Sequence, residues 1–305
     1  MVRSKPNTVI YKLFSLISVV RGYNILILVL AQYLAAIFIF SPQKSLRKVL
    51  LNYELFFIVL ASVFVVAAGY IINNFYDVKA DKINRPLKAG IDNIVTQHTK
   101  LRIYFLFNFL GFLFSWFISW KAALFFSVYI FGIWLYSHKL KKHPFIGLIS
   151  AATLTLSPFF VIFVYFQNFS KIIFVHATFL FSIILLRQII KDLENLRGAM
   201  ANDYITIPIK YGERKSRKLG LLCVLGSFIP ISILISYPHI GYMRYYFLFS
   251  FIVLMFIGYA LWKSNLKKHY VMLHNLLKLM LLLGILSLVF IDPEILIERV
   301  IDKLN

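Results

Sequence analysis

The chain has 305 residues, of which 60% are hydrophobic and only 15% charged, with a mean hydropathy of +0.79. A soluble protein of this length carries far more charge, so the composition excludes an ordinary soluble enzyme and predicts a polytopic membrane protein. The net charge of +21 does not argue for nucleic acid, because the basic residues stand in short clusters between apolar runs, a topology signal and not a binding face.

In chain order, polar residues 1–8 lead into a first apolar run without a small-residue cleavage site, which reads as a retained first helix and not a signal peptide. Nine segments have about the ~20-residue length a spanning helix needs. They fall near 14–40, 55–75, 102–119, 122–137, 145–166, 171–190, 219–236, 244–262 and 270–291. Ser119, Trp120 and Lys121 separate the third from the fourth, predicting a tight hairpin, and Pro158 and Pro230 lie within spans where they kink without preventing insertion. The one cysteine, Cys223, sits inside an apolar run, so there is neither a disulfide framework nor a cysteine metal site.

Orientation follows from Lys and Arg. With the N-terminus inside, the N-terminal stretch and regions 76–102, 138–143, 187–218 and 263–268 are cytoplasmic and hold 24 of the 33 basic residues. The expectation is therefore a multi-pass protein of the plasma or inner membrane, N-terminus in the cytoplasm and C-terminus outside. Seven of the twelve acidic residues, Asp77, Asp81, Asp92, Asp192, Glu194, Asp203 and Glu213, fall in two of these basic regions. Each region begins at the C-terminal end of a spanning helix, the second and the sixth. Helices one to four and five to eight thus form two parallel blocks at the level of hydropathy.

The first acidic region, 73–86, starts Asn73-Asn74-Phe75-Tyr76-Asp77-Val78-Lys79-Ala80-Asp81 and ends Asn84-Arg85-Pro86. Asn73, Asp77 and Asp81 are spaced i, i+4, i+8 and share one face if the helix continues. Carboxylates at a membrane boundary are costly without a cation against them. In the second region, 187–198, Asp192 and Asn195 are i, i+3, while Arg187 and Lys191 form a basic pair on the adjoining face. Carboxylate and amide oxygens suit a hard cation such as Mg²⁺, which bridges to substrate phosphates, and nearby Lys and Arg neutralise the remaining charge of a diphosphate. Such a site can ionise an allylic diphosphate.

On these residues the chain resembles the UbiA superfamily of intramembrane prenyltransferases. Asn73-Asn74-x-x-Asp77-x-x-x-Asp81 matches that family's N-(D/N)-x-x-D-x-x-x-D motif in full, and Lys191-Asp192-Leu193-Glu194-Asn195-Leu196-Arg197-Gly198 aligns with its second aspartate motif. Arg21-Gly22-Tyr23-Asn24 resembles the family's R-P-x-N, with Gly for Pro. Tyr136-Ser137 followed by Leu140-Lys141 resembles its Y-(S/T)-x-x-L-K element. The second motif departs from the K-D-x-E-D-x-x-G-D form, with Asn195 where relatives have an acid and Ala199 after Gly198. That departure implies weaker metal binding there, helped by Asn195 or Asp203.

The resemblance implies one transmembrane prenyltransferase domain over residues 1–305, an all-α bundle around a central cavity open to lipid. It implies Mg²⁺ as cofactor, a polyprenyl diphosphate and a lipophilic acceptor as substrates, membrane lipids around it, and no nucleic acid; no protein partner is inferable. Asp77, Asp81 and Asp192 are the expected catalytic residues, with Asn73 and Asn195 completing the metal donors. Arg85, Lys88, Lys141 and Lys191 are expected on the diphosphate, and Arg21, Asn24 and Tyr136 on substrate. The run from Arg187 to Glu194 and then Tyr204-Ile205-Thr206-Ile207-Pro208 resembles the branch that prenylates geranylgeranylglycerol phosphate. An aromatic, quinone-precursor acceptor is the alternative.

Each reading has a plainer competitor. Asp77 and Asp81 alone also fit a solvated loop where the membrane ends, and the basic residues fit ordinary anchoring at the lipid surface. His274 and Lys278, an i, i+4 pair in the ninth span, read as snorkelling side chains. A transporter with acidic cation sites is the competing class of function, but transporters place such sites near the midplane on broken helices, whereas both clusters here stand at helix ends.

Overall fold

The computed structural model describes residues 8–263 and 266–291. Residues 1–7 and 292–305, on which the expected placement of the termini bears, and residues 264–265 of the 263–268 region lie outside the described residues. Among the described residues every regular element is a helix. They run α1 (Thr8–Val19), α2 (Gly22–Ala35) continued by a π-helical turn (Ala36–Phe40), α3 (Leu46–Leu50), α4 (Tyr53–Tyr76), α5 (Val78–Asn84), α6 (Pro86–Asp92), α7 (Gln97–Trp116) and α8 (Trp120–His138). The second half holds α9 (Pro144–Phe166), α10 (Lys171–Glu194), α11 (Leu196–Ala201), α12 (Ile207–Tyr211), α13 (Glu213–Ser236), α14 (Arg244–Lys263) and α15 (Lys267–Ser287).

Among the described residues eight helical stretches are long and apolar enough to cross a membrane, and the third expected span falls on α7, which carries Lys100 and Arg102 in its first two turns. The observed helices outrun the apolar windows where a polar residue caps them. Asn52 Oδ1 accepts from Leu55 N at 2.8 Å to start α4, and Thr96 and Ser119 cap α7 and α8.

The first expected span, 14–40, is two helices. Arg21 adopts a left-handed backbone (φ 53°, ψ 59°), which ends α1 and starts α2 at Gly22. Hydropathy is blind to such a break, because apolar residues continue on both sides.

Apolar side chains cannot hold helices together by escaping water when the surroundings are lipid, so close packing carries the load. Leu55, Ile58, Ala61, Val65, Ala68 and Ile71 of α4 are shut off from the surface, as are Ile183, Leu186, Ile189 and Ile190 of α10. α4 lies along α7 as α10 lies along α13, which gives the two expected blocks a common packing plan. Gly111 makes the first of these seams possible: a Cβ there would sit 2.5 Å from Val65 Cγ2. Leu26, Phe105, Phe109, Val128, Leu222, Ile229 and Ile252 point outward, as side chains facing lipid should.

Pro158 removes one backbone donor from α9, which frees the carbonyl of Leu154. The Tyr129 hydroxyl on α8 donates to that carbonyl at 3.0 Å, and Gln32 Nε2 on α2 donates to the Pro158 carbonyl at 2.9 Å and to Ser62 Oγ at 2.9 Å. The helix is thus stitched to its neighbours at the proline.

Candidate active site

α4 ends because Asp77 leaves helical geometry (φ −93°, ψ 6°), yet the hydrogen-bond register survives the break. Asp77 N donates to Asn73 O at 3.0 Å, Asp81 N to Asp77 O at 2.8 Å and Arg85 N to Asp81 O at 2.8 Å. Pro86, which lacks a donor, opens α6 at a position that needs none. Asn73, Asp77, Asp81 and Arg85 therefore fall along one side and line a pocket of about 70 Å³. α10 brings Gln188, Lys191, Asp192 and Asn195 to the same pocket, α8 brings Tyr136, and the turn after α8 brings Lys141. Arg21 reaches it from the head of α2, and Tyr204 and Thr206 from the loop before α12.

Lys141 is the central cation. Its Nζ bonds Asp77 Oδ2 and also donates to Asn73 Oδ1 at 2.8 Å, while lying 5.2 Å from the centre of the Tyr204 ring. The Tyr204 hydroxyl donates to the other Asp77 oxygen, Oδ1, at 2.8 Å. Burial would raise the pKa of Asp77, but the charge of Lys141, the bonds from Lys141 and Tyr204 and the charge of Lys191 outweigh it and hold the carboxyl below its ordinary value. Asp81 goes the other way, raised by burial and then by the Asp77 charge. Burial and Asp77 together push the Tyr204 hydroxyl up, so it stays a donor. Across the pocket, Asp192 accepts from Gln188 Nε2 at 2.9 Å, one turn earlier on α10.

The two motifs are sewn together. Asn84 Nδ2 donates to the Asn195 carbonyl at 3.3 Å, and Gly198 N donates to Asn84 Oδ1 at 3.2 Å. A Cβ on Gly198 would lie 2.2 Å from Asn84 Nδ2 and 2.7 Å from the Ala80 carbonyl, so only glycine lets α11 lie against α5. Arg85 reaches Glu194 at 3.2 Å, and the second oxygen of Glu194 meets His274 Nδ1 at 2.6 Å. Ile205 N donates to the Lys142 carbonyl at 3.1 Å, pinning the Tyr204 loop to the Lys141 turn.

Ten of the expected residues meet at this pocket: Arg21, Asn73, Asp77, Asp81, Arg85, Tyr136, Lys141, Lys191, Asp192 and Asn195. Lys88 is not in that lining, although its charge acts on Asp81. Its Nζ pairs with Asp92 Oδ2 at 2.5 Å, and Asp92, 1% exposed, also accepts from Ser18 Oγ and Asn74 Nδ2. A buried carboxylate needs that cation, and Lys100, which donates to Asn74 at 2.8 Å, completes the network. Asn24 also stands outside the lining; it donates to the Tyr70 hydroxyl at 3.1 Å, and the Tyr70 ring in turn faces the Arg21 guanidinium at 5.0 Å. Asp203 takes a left-handed turn in its loop and does not line the pocket. His274 is 3% exposed and tied to Glu194, which corrects the snorkelling expectation.

Sequence reasoning passed over Gln188, Tyr204 and Asn84 as site residues. Gln188 stands four residues before Asp192, a helical spacing that was readable. Asn84 bonds across more than a hundred residues, and nothing local announces that.

The donors suit a hard cation. Asn73, Asp77, Asp81, Asp192 and Asn195 offer oxygens to one pocket, and an ammonium already sits between Asn73 and Asp77. Among the described residues no three His, Cys, Asp or Glu side chains close on one point. An open set of this kind fits Mg²⁺, which brings waters and binds substrate phosphate through one or two carboxylates.

The family model described as the UbiA prenyltransferase family matches residues 29–279. A digeranylgeranylglyceryl phosphate synthase of Methanobrevibacter smithii is 29% identical over 262 residues, 82% of this chain and 87% of that protein. The enzyme of the same name from Pyrococcus horikoshii is 28% identical over 233 residues, 74% of this chain and 80% of that one. A solved structure of a digeranylgeranylglyceryl phosphate synthase superposes with a TM-score of 0.69 at 22% identity, covering 92% of this chain and 98% of the other. A UbiA homologue from Archaeoglobus fulgidus, solved with DMAPP and Mg²⁺, gives a TM-score of 0.66 at 13% identity over 90% of this chain and 99% of that one. These structures have the same fold.

Proposed function

This chain belongs to the UbiA prenyltransferase family, and from that membership we propose that it transfers a geranylgeranyl group from the allylic diphosphate to the free hydroxyl of geranylgeranylglyceryl phosphate, with Mg²⁺. The convergence of both acidic motifs and four cationic side chains on one pocket carries the reaction class. The names of the relatives support the acceptor.

Asn73, Asp77, Asp81, Asp192 and Asn195 would hold the metal, which when bound neutralises charge on the departing diphosphate. Lys141, Lys191, Arg85 and Arg21 bind the remaining diphosphate oxygens, and their fixed positions favour charge as it develops on the leaving group. Lys141 and Tyr204 keep Asp77 ionised and aimed before substrate arrives. A cavity of about 190 Å³ between α2, α9, α10, α14 and α15, lined by Leu28, Leu156, Phe159, Phe179, Phe247 and other apolar groups, accommodates isoprenoid chain and excludes water. The allylic C–O bond breaks and pyrophosphate leaves. The acceptor oxygen bonds to that carbon and gives its proton to a site carboxylate or to pyrophosphate. We further place this pocket at the cytoplasmic face, on the Lys and Arg distribution.

The test is incubation of the purified protein with geranylgeranyl diphosphate, Mg²⁺ and a panel of glycerol phosphate ethers, naphthoates and hydroxybenzoates. Metal-dependent ether formation with the glycerol phosphates is expected. Product with aromatic acceptors alone would overturn the acceptor, and ion transport without prenylation would overturn the enzyme.

A further inference from the structure

The carboxylates and cations around the active site do not balance, and the imbalance has an address. Lys141 is matched by Asp77, Lys88 by Asp92 and Arg85 by Glu194. Where α10 meets α15 two cations remain. Arg187 is half-buried; its Nε is fully buried and has no hydrogen-bond partner among the described residues. Lys278 lies on α15, which packs against α10, and forms no ion pair among the described residues. The charges bearing on Lys278 are those of Arg187, Arg85, Glu194 and Arg21, and those bearing on Arg187 include Arg21 and Arg85 with the Tyr70 and Tyr23 hydroxyls. Glu194 is the one carboxylate in this group, and both its oxygens are already engaged by Arg85 and His274. One turn before Lys278, His274 Nε2 is a second buried nitrogen without a partner.

Uncompensated cations within membrane-spanning helices are costly, and so is a guanidinium nitrogen buried without an acceptor. An anion placed here would supply the missing acceptor. Neither Arg187 nor Lys278 lines the acidic pocket, whereas Arg21 and Arg85 line it and their charges also act on Lys278. An anion here therefore lies beside the diphosphate, not in its seat. We propose that Arg187 and Lys278, with Arg21 between the two sites, bind the phosphomonoester of the acceptor and so select a phosphorylated lipid alcohol over a neutral or aromatic one. This rests on the acceptor proposed above. Arg187 supplies a planar donor fork to the phosphate oxygens and Lys278 a point charge. The Asn24–Tyr70–Arg21 chain of contacts fixes the third cation at the boundary. These are binding groups; the bond-making atoms stay at the metal pocket.

The experiment compares full-length wild type with Arg187→Gln, Lys278→Met and the conservative Lys278→Arg in lipid nanodiscs. Steady-state kinetics with a glycerol phosphate ether and with geranylgeranyl diphosphate are read beside thermal stabilisation by a short-chain glycerol phosphate ether, by pyrophosphate and by phosphatidic acid. KM for the phosphorylated acceptor should rise on the order of 10–100-fold in the first two variants, as expected for a lost charged hydrogen bond. KM for the diphosphate and stabilisation by pyrophosphate should stay within about twofold, and Lys278→Arg should retain acceptor binding. Unchanged acceptor KM, or an equal rise for both substrates, would overturn the inference while leaving the transferase reading intact. Equal protection by phosphatidic acid would also overturn it, because the site would then serve lipid headgroups in general. If the ether binds wild type and not the variants but is never prenylated, the proposed acceptor reaction fails and the phosphate site stands.

Discussion

The two acidic motifs hold similar residues and use them differently. On the α4 side, Asp77 is gripped by Lys141 and Tyr204, and Asn73 shares the same ammonium, so the oxygens that face the pocket are already arranged around a positive charge. On the α10 side Asp192 accepts from Gln188, Glu194 is turned away to Arg85 and His274, and Asn195 spends its amide nitrogen on the Lys191 carbonyl. The difference teaches that the second motif has divided its labour: one acid remains for the pocket, and the other anchors the α10–α15 seam to the Arg85 segment. A depleted motif is thus partly a structural one.

Predictions that break or sharpen this contrast run from severe to mild. Asp77→Ala should abolish metal-dependent pyrophosphate release, a loss on the order of 10³-fold or more, in line with removal of a principal charge-stabilising group. Asp192→Asn should cost less, about 10–100-fold in the same assay, because it removes one of several donors around the metal; equal losses in the two variants would end the asymmetry. Gly198→Ala should lower the thermal midpoint through a penalty of about 1–3 kcal/mol for forced overpacking against Ala80 and Asn84, with a Tm scan in detergent as the check. Lys88→Met should also reduce stability, leaving Asp92 buried without its cation, while KM for the diphosphate stays unchanged. Asn195→Asp, which restores an acid to the weaker side, should reduce the Mg²⁺ concentration for half-maximal activity by a few-fold.

Much of this was legible in sequence, for identifiable reasons. Apolar runs of spanning length announce helices whatever their partners, and the i, i+4, i+8 spacing of Asn73, Asp77 and Asp81 kept its meaning even though the helix breaks at Asp77, because the i to i+4 hydrogen bonds continue through it. The Lys88–Asp92 ion pair was readable from its i, i+4 spacing. The left-handed turn at Arg21 was hidden, since hydropathy carries no backbone angles. The Glu194–His274 and Asn84–Gly198 contacts were hidden for another reason: they join residues 80 and 114 positions apart, and one sequence holds no sign of such pairs.

The proline inside α9 leaves acceptors that other helices must satisfy. Pro158 lines the apolar cavity, and the hydrogen bond its ring forbids has been replaced by Tyr129 from one side, with Gln32 holding the adjacent carbonyl from the other. A continuous helix that bent here would strand a carbonyl in hydrocarbon, at several kcal/mol. Here the freed carbonyl of Leu154 and the carbonyl of Pro158 are each satisfied by a side chain of a neighbouring helix, so α9 passes the proline without an unpaired acceptor at either position. Each of these two tethers contributes about 1 kcal/mol, and they fasten the cavity-lining stretch of α9 to α8 and α2.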